Sequence, residues 1–332
     1  MRRGTVWQLD GLPATPTQNL PKDKWLEIRR SGIGGSDIAG IMGISPWSTP
    51  LGVYCDKVGL RPPQDPTVAM EFGTRMEPTL RKWAEDEINK KIETADYLAW
   101  GEYKILSSPY LYRHPEQDIF IGNTDGVVLS DEVTIYAGAE LKTVDRFAAK
   151  EWSDGMMPDY YNAQVQWYMG VTGLDRWVVG ALIGKRFEVR VVERDQERIN
   201  DLQQAALGFW ATFVEPRIMP QATGGDSGLL LDLFPDASED VLQDGEFELT
   251  LGHYLRLSET IREQQGLRDV VKARIEQRIG NAKGIQAGRY KATWSRYMTT
   301  RVDSNKLKAS YPQVYSAVVR ESPTGRLNVK EG

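Results

Sequence analysis

The chain has 332 residues, of which 41% are hydrophobic and 26% are charged, and its formal net charge is −5. These values are ordinary for a globular protein with a normal core, and the length predicts about two domains. The net charge argues against a generally basic coat for nucleic acid, but it does not exclude a nuclease with a locally basic cleft. No run of about eighteen apolar residues is present, so we expect no membrane-spanning helix and no membrane partner.

Cysteine and histidine are scarce, which limits the kinds of site that the chain can build. The single cysteine is Cys55, so an intrachain disulfide framework is excluded. We interpret Cys55 as a small buried residue, and His114 and His253 as structural or surface residues rather than zinc ligands. Arg2 and Arg3 are not followed by an apolar segment of the kind found in signal peptides, so we expect a cytoplasmic protein.

The first two thirds of the chain predict helices, then short strands, then a helix, a hairpin and a closing helix. Residues 1–21 are rich in Pro and Thr, and we interpret them as a loose arm. The predicted helices lie near residues 25–30, 38–42, 51–58, 72–88, 160–169 and 195–214, and the predicted strands near 102–107, 119–121, 126–129, 134–143, 176–183 and 186–193. This order indicates an α/β core in which helices pack on a central mixed sheet.

A glycine-rich turn, residues 31–37, separates the first two predicted helices. Its glycines suit a tight turn and a close backbone approach, and Ser36 or Asp37 would cap the helix that follows. Free N–H groups at such a helix start can bind an anion, and Arg29 and Arg30 could add a phosphate contact. The alternative is an ordinary helix start after a turn.

The next helical pattern contains Glu77 followed by Pro78. Because proline lacks an N–H and restricts the residue before it, we expect a helix start or a kink close to Glu77. An acidic residue in that position is usually a partner of the helix dipole. A role for Glu77 as a further acid near a metal does not follow from its local sequence.

The central motif runs from Asn123 to Thr143 and predicts two adjacent strands joined by a turn. Since alternate residues of a strand share a face, Glu140 and Lys142 should project together while Leu141 faces the core. If Asp125 lies on the neighbouring strand, two carboxylates and an ammonium meet at one place. Two close carboxylates repel unless a cation joins them or one binds a proton, and Mg²⁺ favours such oxygen ligands. The alternative is a solvated hairpin face with a Glu–Lys pair.

The last third predicts a linker or surface loop at residues 216–246 and a long charged helix at 247–279. A hairpin at residues 284–298, a short helix after Asp303 that ends at Tyr311, and a final strand near 326–329 should follow. The hairpin interleaves aromatic and basic residues, which can bind nucleic acid by stacking and charge. A small packed hairpin with a solvent-exposed polar edge is an equally good interpretation.

Several of these segments, taken in order, resemble the phage exonucleases of the YqaJ and lambda-exonuclease type, which belong to the restriction-endonuclease-like PD-(D/E)XK nucleases. The similar blocks are Trp25–Arg29, Gly32–Ala39, Gly43–Trp47, Gly73–Pro78, Thr124–Gly126, Glu140–Lys142 and Gln164–Gln166. They extend over roughly residues 22–215, which the resemblance identifies as the nuclease domain. Residues 247–332 resemble, less closely, a C-terminal extension of some phage members. Thr124 stands where the motif has proline, a position that holds no metal ligand.

The resemblance implies a restriction-endonuclease-like α/β core and a metal site for Mg²⁺, with Mn²⁺ as a substitute. Asp125, Glu140 and the main-chain carbonyl of Leu141 would hold the metal. Lys142 would orient and help to deprotonate the attacking water, or stabilise charge in the transition state. Glu77 would assist a second metal or the water.

The resemblance also implies roles for Gln164 and for the glycine-rich turn. Gln164 would position the water or the Lys142 side of the site. Arg29, Ser36 and Gly35 would bind the 5′-terminal phosphate of a DNA strand, which would account for directional cleavage.

The implied activity is Mg²⁺-dependent 5′-to-3′ hydrolysis of duplex DNA ends by an enzyme of phage or prophage origin, leaving 3′ single-stranded tails for annealing. The resemblance further implies a ring-shaped homotrimer and a single-strand annealing partner of the RecT or Beta type. Three alternatives remain open at this point: a non-catalytic DNA-binding or scaffold protein of the same fold, an endonuclease of the same superfamily, and a metalloenzyme acting on free nucleotides.

Overall fold

The computed structural model describes residues 7–61, 66–94, 102–131, 133–153, 155–236, 238, 240–320 and 324–331. The chain divides into two compact units, Met1–Leu233 and Phe234–Gly332. The predicted linker, residues 216–246, spans this division.

The first unit combines helices with short strands in the predicted order. Its helices are α1 (Lys22–Arg30), α2 (Gly35–Ile41), α3 (Pro50–Val58), α4 (Val68–Thr94), α5 (Asp159–Thr172), α6 (Gln196–Phe209) and α7 (Ser227–Leu233). Its strands are β1 (Ala14–Pro16), β2 (Lys104–Leu106), β3 (Tyr110–Arg113), β4 (Ile121–Asn123), β5 (Gly126–Leu129), β6 (Ile135–Val144), β7 (Arg176–Ile183) and β8 (Arg186–Glu193). A 3₁₀ helix at Arg146–Trp152 and one π-helical turn at Trp210–Val214 complete the set.

A five-stranded sheet with the order β2-β5-β6-β7-β8 forms the centre of this unit. β6 and β7 are parallel, whereas the other neighbouring strands are antiparallel, so the sheet is mixed. Helix α4 packs on one face through Leu80 and Ala84, in a cluster that includes Val178 of β7. The next residue, Val179, packs on the other face in a cluster with Trp167 of α5. The predicted α/β fold with a central mixed sheet flanked by helices is confirmed.

The N-terminal segment is not a loose arm where the structure describes it. β1 pairs with β3, and β3 pairs with β4, in a second, three-stranded sheet. Leu9 is buried, and its N–H donates to the Tyr112 hydroxyl at 3.2 Å. Apolar packing therefore outweighs the Pro- and Thr-rich composition, and β3 is a strand that the sequence pattern missed. Residues 1–6 of the predicted arm lie outside the described residues.

Helix α4 does not begin at Glu77 but at Val68, and Pro78 lies inside it. An interior proline removes one backbone hydrogen bond and is unfavourable in a helix. The helix continues because Leu80, Ala84 and Ile88 beyond the proline are buried against the sheet. The expected helix start close to Glu77 is therefore wrong, because tertiary packing overrides the local effect of the proline.

The predicted surface loop contains a further helix, α7, that belongs to the first unit. Leu229, Leu230 and Leu233 of α7 pack against the main core. Asp226 before α7 accepts a hydrogen bond of 2.5 Å from Thr49, the N-cap residue of α3. Long-range packing thus gives order to a segment whose composition is typical of a loop.

The second unit contains the predicted long helix, α8 (Glu248–Ile279), and a hairpin of β9 (Gly284–Ala287) and β10 (Tyr290–Thr293). Two short helices follow, α9 (Ser304–Ser310) and α10 (Pro312–Val318), and Asp303 caps α9 as expected. The strand predicted at residues 326–329 is absent, since these described residues have no regular structure. Across all the helices that the structure describes, none is long and apolar enough to cross a membrane.

Candidate active site

The pairing of β5 with β6 brings the predicted acidic residues together. Gly126 pairs with Ala139, so Asp125 and Glu140 occupy neighbouring positions at the end of this strand pair. The Asp125 Oδ2 atom accepts a hydrogen bond of 2.7 Å from the N–H of Leu141. This contact joins the end of the turn before β5 to the middle of β6 and holds both acids in place.

Glu140 is buried, and its two carboxylate oxygens have different surroundings. Oε1 accepts hydrogen bonds from Lys142 Nζ at 2.5 Å and from Gln164 Nε2 at 2.9 Å. Oε2 is buried and has no hydrogen-bond partner among the described residues. Burial, together with the negative charge of Asp125, raises the pKa of Glu140 to about 8. Since Oε1 already has two donors, Oε2 is the oxygen available to a proton or a cation.

Lys142 lies between Glu140 and the ring of Tyr161, with its Nζ atom 5.1 Å from the ring centroid. Burial alone would lower the pKa of Lys142, but the charges of Glu140 and Asp125 outweigh that effect and raise it above its ordinary value. Lys142 is therefore an ammonium group near neutral pH. In this state it donates hydrogen bonds and stabilises negative charge.

Glu77 on α4 is held by Arg81, one helical turn further along. The Arg81 guanidinium donates to Glu77 Oε1 and, at 3.2 Å, to the main-chain carbonyl of Asp125. Burial raises the pKa of Glu77, and the nearby charge of Asp125 raises it further. Arg81 thus joins Glu77 to the turn before β5, where Asp125 lies.

The residues at this position suit a hard divalent cation. Asp125 and Glu140 supply carboxylates, one of them with an unpartnered buried oxygen. The main-chain carbonyl of Leu141 stays a predicted third ligand. Among the described residues, no group of three or more His, Cys, Asp and Glu side chains is arranged to hold a metal ion. Two carboxylates are enough to hold Mg²⁺, because its remaining coordination positions are usually filled by waters and substrate phosphates. The role of Glu77 beside such a metal stays a prediction.

The predicted phosphate-binding residues form a polar cluster where α1, α2 and α3 meet. Arg29 Nη2 donates to Ser36 Oγ at 3.0 Å and to Asp37 Oδ1 at 3.3 Å. Lys57 Nζ donates to Asp37 Oδ2 at 2.6 Å, and the Gly34 N–H donates to the same oxygen at 2.8 Å. Burial would raise the pKa of Asp37, but the charges of Lys57 and Arg29 hold it below its usual value.

This cluster holds the Arg29 guanidinium and the Ser36 hydroxyl side by side at the start of α2. The Arg29 side chain remains 40% exposed, so it can contact an anion from solvent. Arg30 points elsewhere, since its Nε atom donates to the carbonyl of Asp56 at 3.2 Å. Of the two arginines considered from the sequence, the structure places only Arg29 beside Ser36.

Gly35 connects the glycine-rich turn to the acidic residues by close packing. A Cβ atom at Gly35 would lie 2.5 Å from Cε1 of Tyr168 and 3.0 Å from Cγ of Gln164. Gln164 Nε2, which donates to Glu140, also donates to the Tyr168 hydroxyl at 2.9 Å. The start of α2 therefore packs directly on the side chains that orient Glu140, which explains why this position requires glycine.

Sequence reasoning missed several residues of the site, namely Arg81, Asp37 as an ion-pair partner, Lys57, Tyr161 and Tyr168. The spacing of Glu77 and Arg81, four residues apart in a helix, is a signal that could have revealed their pair. The shared helical face of Gln164 and Tyr168 was visible in the sequence, but the hydrogen bond between them was not. No local signal connects Asp37 with Lys57.

Comparison with known proteins is consistent with this geometry. Residues 24–175 match the family model of the YqaJ-like viral recombinase domain. The YqaJ protein of Bacillus subtilis (strain 168) is 29% identical over 322 residues, which cover 94% of this chain and 95% of that protein.

Two solved structures show weaker similarity. The alkaline exonuclease of Laribacter hongkongensis is 20% identical with a TM-score of 0.45, over 59% of this chain and 94% of that chain. A phage-related exonuclease from Haemophilus somnus 129PT is 13% identical with a TM-score of 0.33, over 56% of this chain and 96% of that chain. The family match, by contrast, includes the glycine-rich turn, Glu77, Asp125, Glu140, Lys142 and Gln164. Residues 24–175 of this chain are therefore similar to the YqaJ-like viral recombinase domain, and the similarity to the YqaJ protein extends over most of the chain.

Proposed function

We propose that this protein is a Mg²⁺-dependent exonuclease of phage type that hydrolyses one strand of duplex DNA from its 5′ end. The observation that carries the proposal is the buried Glu140, whose Oε2 atom is unpartnered while Asp125, Lys142 and Gln164 surround it. The similarity of residues 24–175, which include Glu140, to the YqaJ-like viral recombinase domain supports the hydrolysis of DNA as the reaction. Resection in this direction would leave a 3′ single-stranded tail for annealing.

The side chains of the site would divide the work of phosphodiester hydrolysis. Bound Mg²⁺ would supply Lewis-acid stabilisation of negative charge and make a water molecule more acidic. Asp125, Glu140 and the carbonyl of Leu141 would hold the cation. The Lys142 ammonium would stabilise charge at the phosphate under attack, because its pKa is raised. Gln164 would keep Glu140 in orientation through its hydrogen bond to Oε1.

The Arg29 cluster would select the strand end. A guanidinium and a hydroxyl held 3.0 Å apart can together bind one phosphate group. A 5′-terminal phosphate carries more charge than an internal phosphodiester, so its loss removes a charged partner of Arg29. Gly35 and Tyr168 pack between this cluster and Gln164, which is consistent with end recognition next to the cleavage position.

The test is incubation of the protein with linear duplex DNA labelled at one 5′ end, with Mg²⁺ and separately with EDTA. We expect labelled mononucleotide to be released only with the metal, and faster from phosphorylated than from hydroxyl ends. Asp125→Asn should lower turnover by about 10²- to 10³-fold or more, the usual loss when one transition-state stabiliser is removed. The exposed Asp131 provides a matched control, since Asp131→Asn should retain activity.

Covalently closed circular duplex separates this proposal from an endonuclease, because a circle offers no end. Efficient cutting of the circle would overturn the exonuclease assignment. Intact linear DNA that the wild type and Asp125→Asn bind equally well would instead indicate a non-catalytic scaffold.

We further propose, from the family resemblance alone, that the protein acts as a homotrimeric ring with a single-strand annealing partner of the RecT or Beta type. Light scattering of the purified protein should then give three times the chain mass of 37.5 kDa. Co-purification with an annealing protein of the same genome would test the partnership.

A further inference from the structure

Trp47 is an exposed aromatic residue whose ring and loop are held by neighbouring side chains. Its residue surface is 69% exposed, yet its ring packs edge-on against Tyr160 at 5.0 Å and lies 5.9 Å from the ring of Tyr161. The N–H groups of Trp47 and Ser48 both donate to the hydroxyl of Ser45, at 3.2 and 3.1 Å. The loop therefore holds an indole ring towards solvent although burial would be favourable.

This aromatic cluster extends to the candidate active site. The second ring under Trp47, that of Tyr161, is the ring that Lys142 Nζ contacts at 5.1 Å. Tyr161 precedes Gln164 by three residues on α5, so both side chains project from the same face of that helix. Tyr160 is fixed in turn by a hydrogen bond of 2.8 Å from its hydroxyl to Glu151. One tyrosine ring thus separates Trp47 from Lys142.

We propose that Trp47 is a stacking platform for a nucleobase of the strand that is being cut. This inference rests on the proposed function and adds a base-binding subsite to it. The exposed indole is rigid, so little conformational freedom is lost when a base packs on it. Every nucleobase has a π face, so such a platform binds without sequence preference, as a general exonuclease requires.

The geometry favours a base that has left the duplex. A base that is paired inside a duplex has neighbours on both faces, whereas a terminal or unpaired base can offer a face to an aromatic side chain. Since only the ring of Tyr161 lies between Lys142 and Trp47, a nucleotide whose phosphate contacts Lys142 can reach Trp47 with its base. Trp47 would then hold the end of the strand in register during hydrolysis.

Fluorescence of 2-aminopurine provides a direct measurement of this contact. The fluorophore is placed in turn at each nucleotide near the 5′-phosphorylated end of a duplex, and binding is recorded in EDTA, so that no cleavage occurs. We expect the full-length protein to change the fluorescence most strongly at one position. Trp47→Phe should keep most of the change, whereas Trp47→Leu should lose it and weaken binding by about 5- to 150-fold, the range for one stacked base.

An abasic nucleotide at the same position separates stacking from loop packing. If Trp47 contacts the base, the abasic duplex should bind the wild type as weakly as normal DNA binds Trp47→Leu. Trp47→Leu should bind the abasic duplex as strongly as it binds the normal duplex. Equal weakening by Trp47→Leu on normal and abasic duplexes would mean that Trp47 acts only by packing the loop, and would overturn the inference.

Trp83 offers a matched control on α4. It is 40% exposed and packs edge-on against Phe187 of β8 at 5.6 Å. Trp83→Leu should bind both duplexes as the wild type does. Normal cleavage and unchanged 2-aminopurine signals in Trp47→Leu would refute the stacking subsite alone, whereas a wild type that neither binds nor cuts DNA would refute the proposed function as well.

Discussion

At the level of single residues, the site depends on how buried charges are partnered. Glu140 has donors on one oxygen only, and Arg29 has two acceptors on one nitrogen. A buried charge is costly unless it is paired and hydrogen-bonded. Incomplete partnering of Glu140 therefore leaves Oε2 available to a proton or to the proposed cation. The partnering of Asp37 by Arg29, Lys57 and Gly34 indicates instead a structural role.

Replacement of Arg29 tests whether it recognises the strand end. Arg29→Ala should reduce turnover on 5′-phosphorylated ends by about 10- to 150-fold, since a hydrogen bond to a charged group contributes about 1.5–3 kcal/mol. Turnover on 5′-hydroxyl ends should change much less. Arg30→Ala is the control, because the Arg30 side chain contacts the carbonyl of Asp56 and not Ser36. Equal losses of turnover on both kinds of end would show that Arg29 does not bind the 5′ phosphate.

The raised pKa of Glu140 predicts how pH affects stability and metal binding. Because its pKa is raised to about 8 from an ordinary value of 4.5, the folded protein binds a proton between these values that the unfolded chain does not. Without metal, the free energy of unfolding should therefore decrease as the pH rises from 4.5 to about 8. Above this pH, the titration of Glu140 should cause no further decrease.

Mg²⁺ and this proton would compete for the same carboxylate. The increase in Tm caused by Mg²⁺ should accordingly grow as pH rises through about 8. Differential scanning fluorimetry across this range, with and without Mg²⁺, measures the effect. Glu140→Gln should lose both the metal-induced increase and its pH dependence, and an unchanged Mg²⁺ effect in this variant would exclude Glu140 as a ligand.

At the level of elements, the start of α2 and the face of α5 form one packed unit around Gly35. The turn before α2 is also attached to β4, since the N–H of Ile33 donates to the carbonyl of Ile119 and the N–H of Ile121 donates to the carbonyl of Ile33. The Tyr168 ring then fills the space beside Gly35, and a Cβ atom at Gly122 of β4 would lie 3.2 Å from Cδ1 of the same ring. Helix position and side-chain orientation at the site are therefore linked.

Introduction of a methyl group at Gly35 tests this linkage. Gly35→Ala should destabilise the protein by about 1–3 kcal/mol, the usual cost of overpacking, because the new Cβ would collide with Tyr168. It should also reduce Mg²⁺-dependent turnover, since Gln164 must move with Tyr168. The control is Gly208→Ala in α6, where, apart from its chain neighbours and the nearby helix backbone, no atom of the described residues lies within 4 Å of the added Cβ.

Gly208→Ala should be neutral or should stabilise the protein by up to about 1 kcal/mol, because alanine favours a helix. Thermal unfolding and single-turnover cleavage measure both variants. A Gly35→Ala protein with the Tm and turnover of the wild type would show that the Tyr168 ring is not held by this contact.

At the level of the whole molecule, the two units differ in how much core they contain. The buried hydrophobic residues that the structure describes lie in the first unit, except for Ile279. Helix α8 of the second unit exposes a series of apolar side chains instead, including Leu257, Ile261 and Val271. A unit with its own core can fold alone, so the first unit should be independent.

A chain that ends at Leu233 tests this independence. We expect it to unfold cooperatively, with a Tm within about 4 °C of the first-unit transition in the full chain, which corresponds to about 1 kcal/mol for a domain of this size. It should keep Mg²⁺-dependent hydrolysis of a short duplex. Circular dichroism melting and the mononucleotide-release assay measure both properties, and an unfolded fragment would show that residues 234–332 are needed for the core.

Much of the fold was predictable because its signals are local. The hairpin of β7 and β8 has the predicted bounds, because two strand-like segments that flank a turn at Gly184 and Lys185 form a signal within one short stretch of sequence. The adjacency of Glu140 and Lys142 follows from the two-residue repeat of a strand. The order of helices and strands, and hence the α/β class, follows from similar short-range periodicities.

Contacts between distant segments decided the rest. Pro78 lies inside a helix because residues beyond it pack on the sheet, and the arm forms β1 because β3 offers a free edge. Arg81 reaches Asp125, Lys57 reaches Asp37, and Gln164 reaches Glu140 across separations of 44, 20 and 24 residues. Spacing along a chain carries no information about such pairs, because they form only when packed helices bring their side chains to the same end of the sheet.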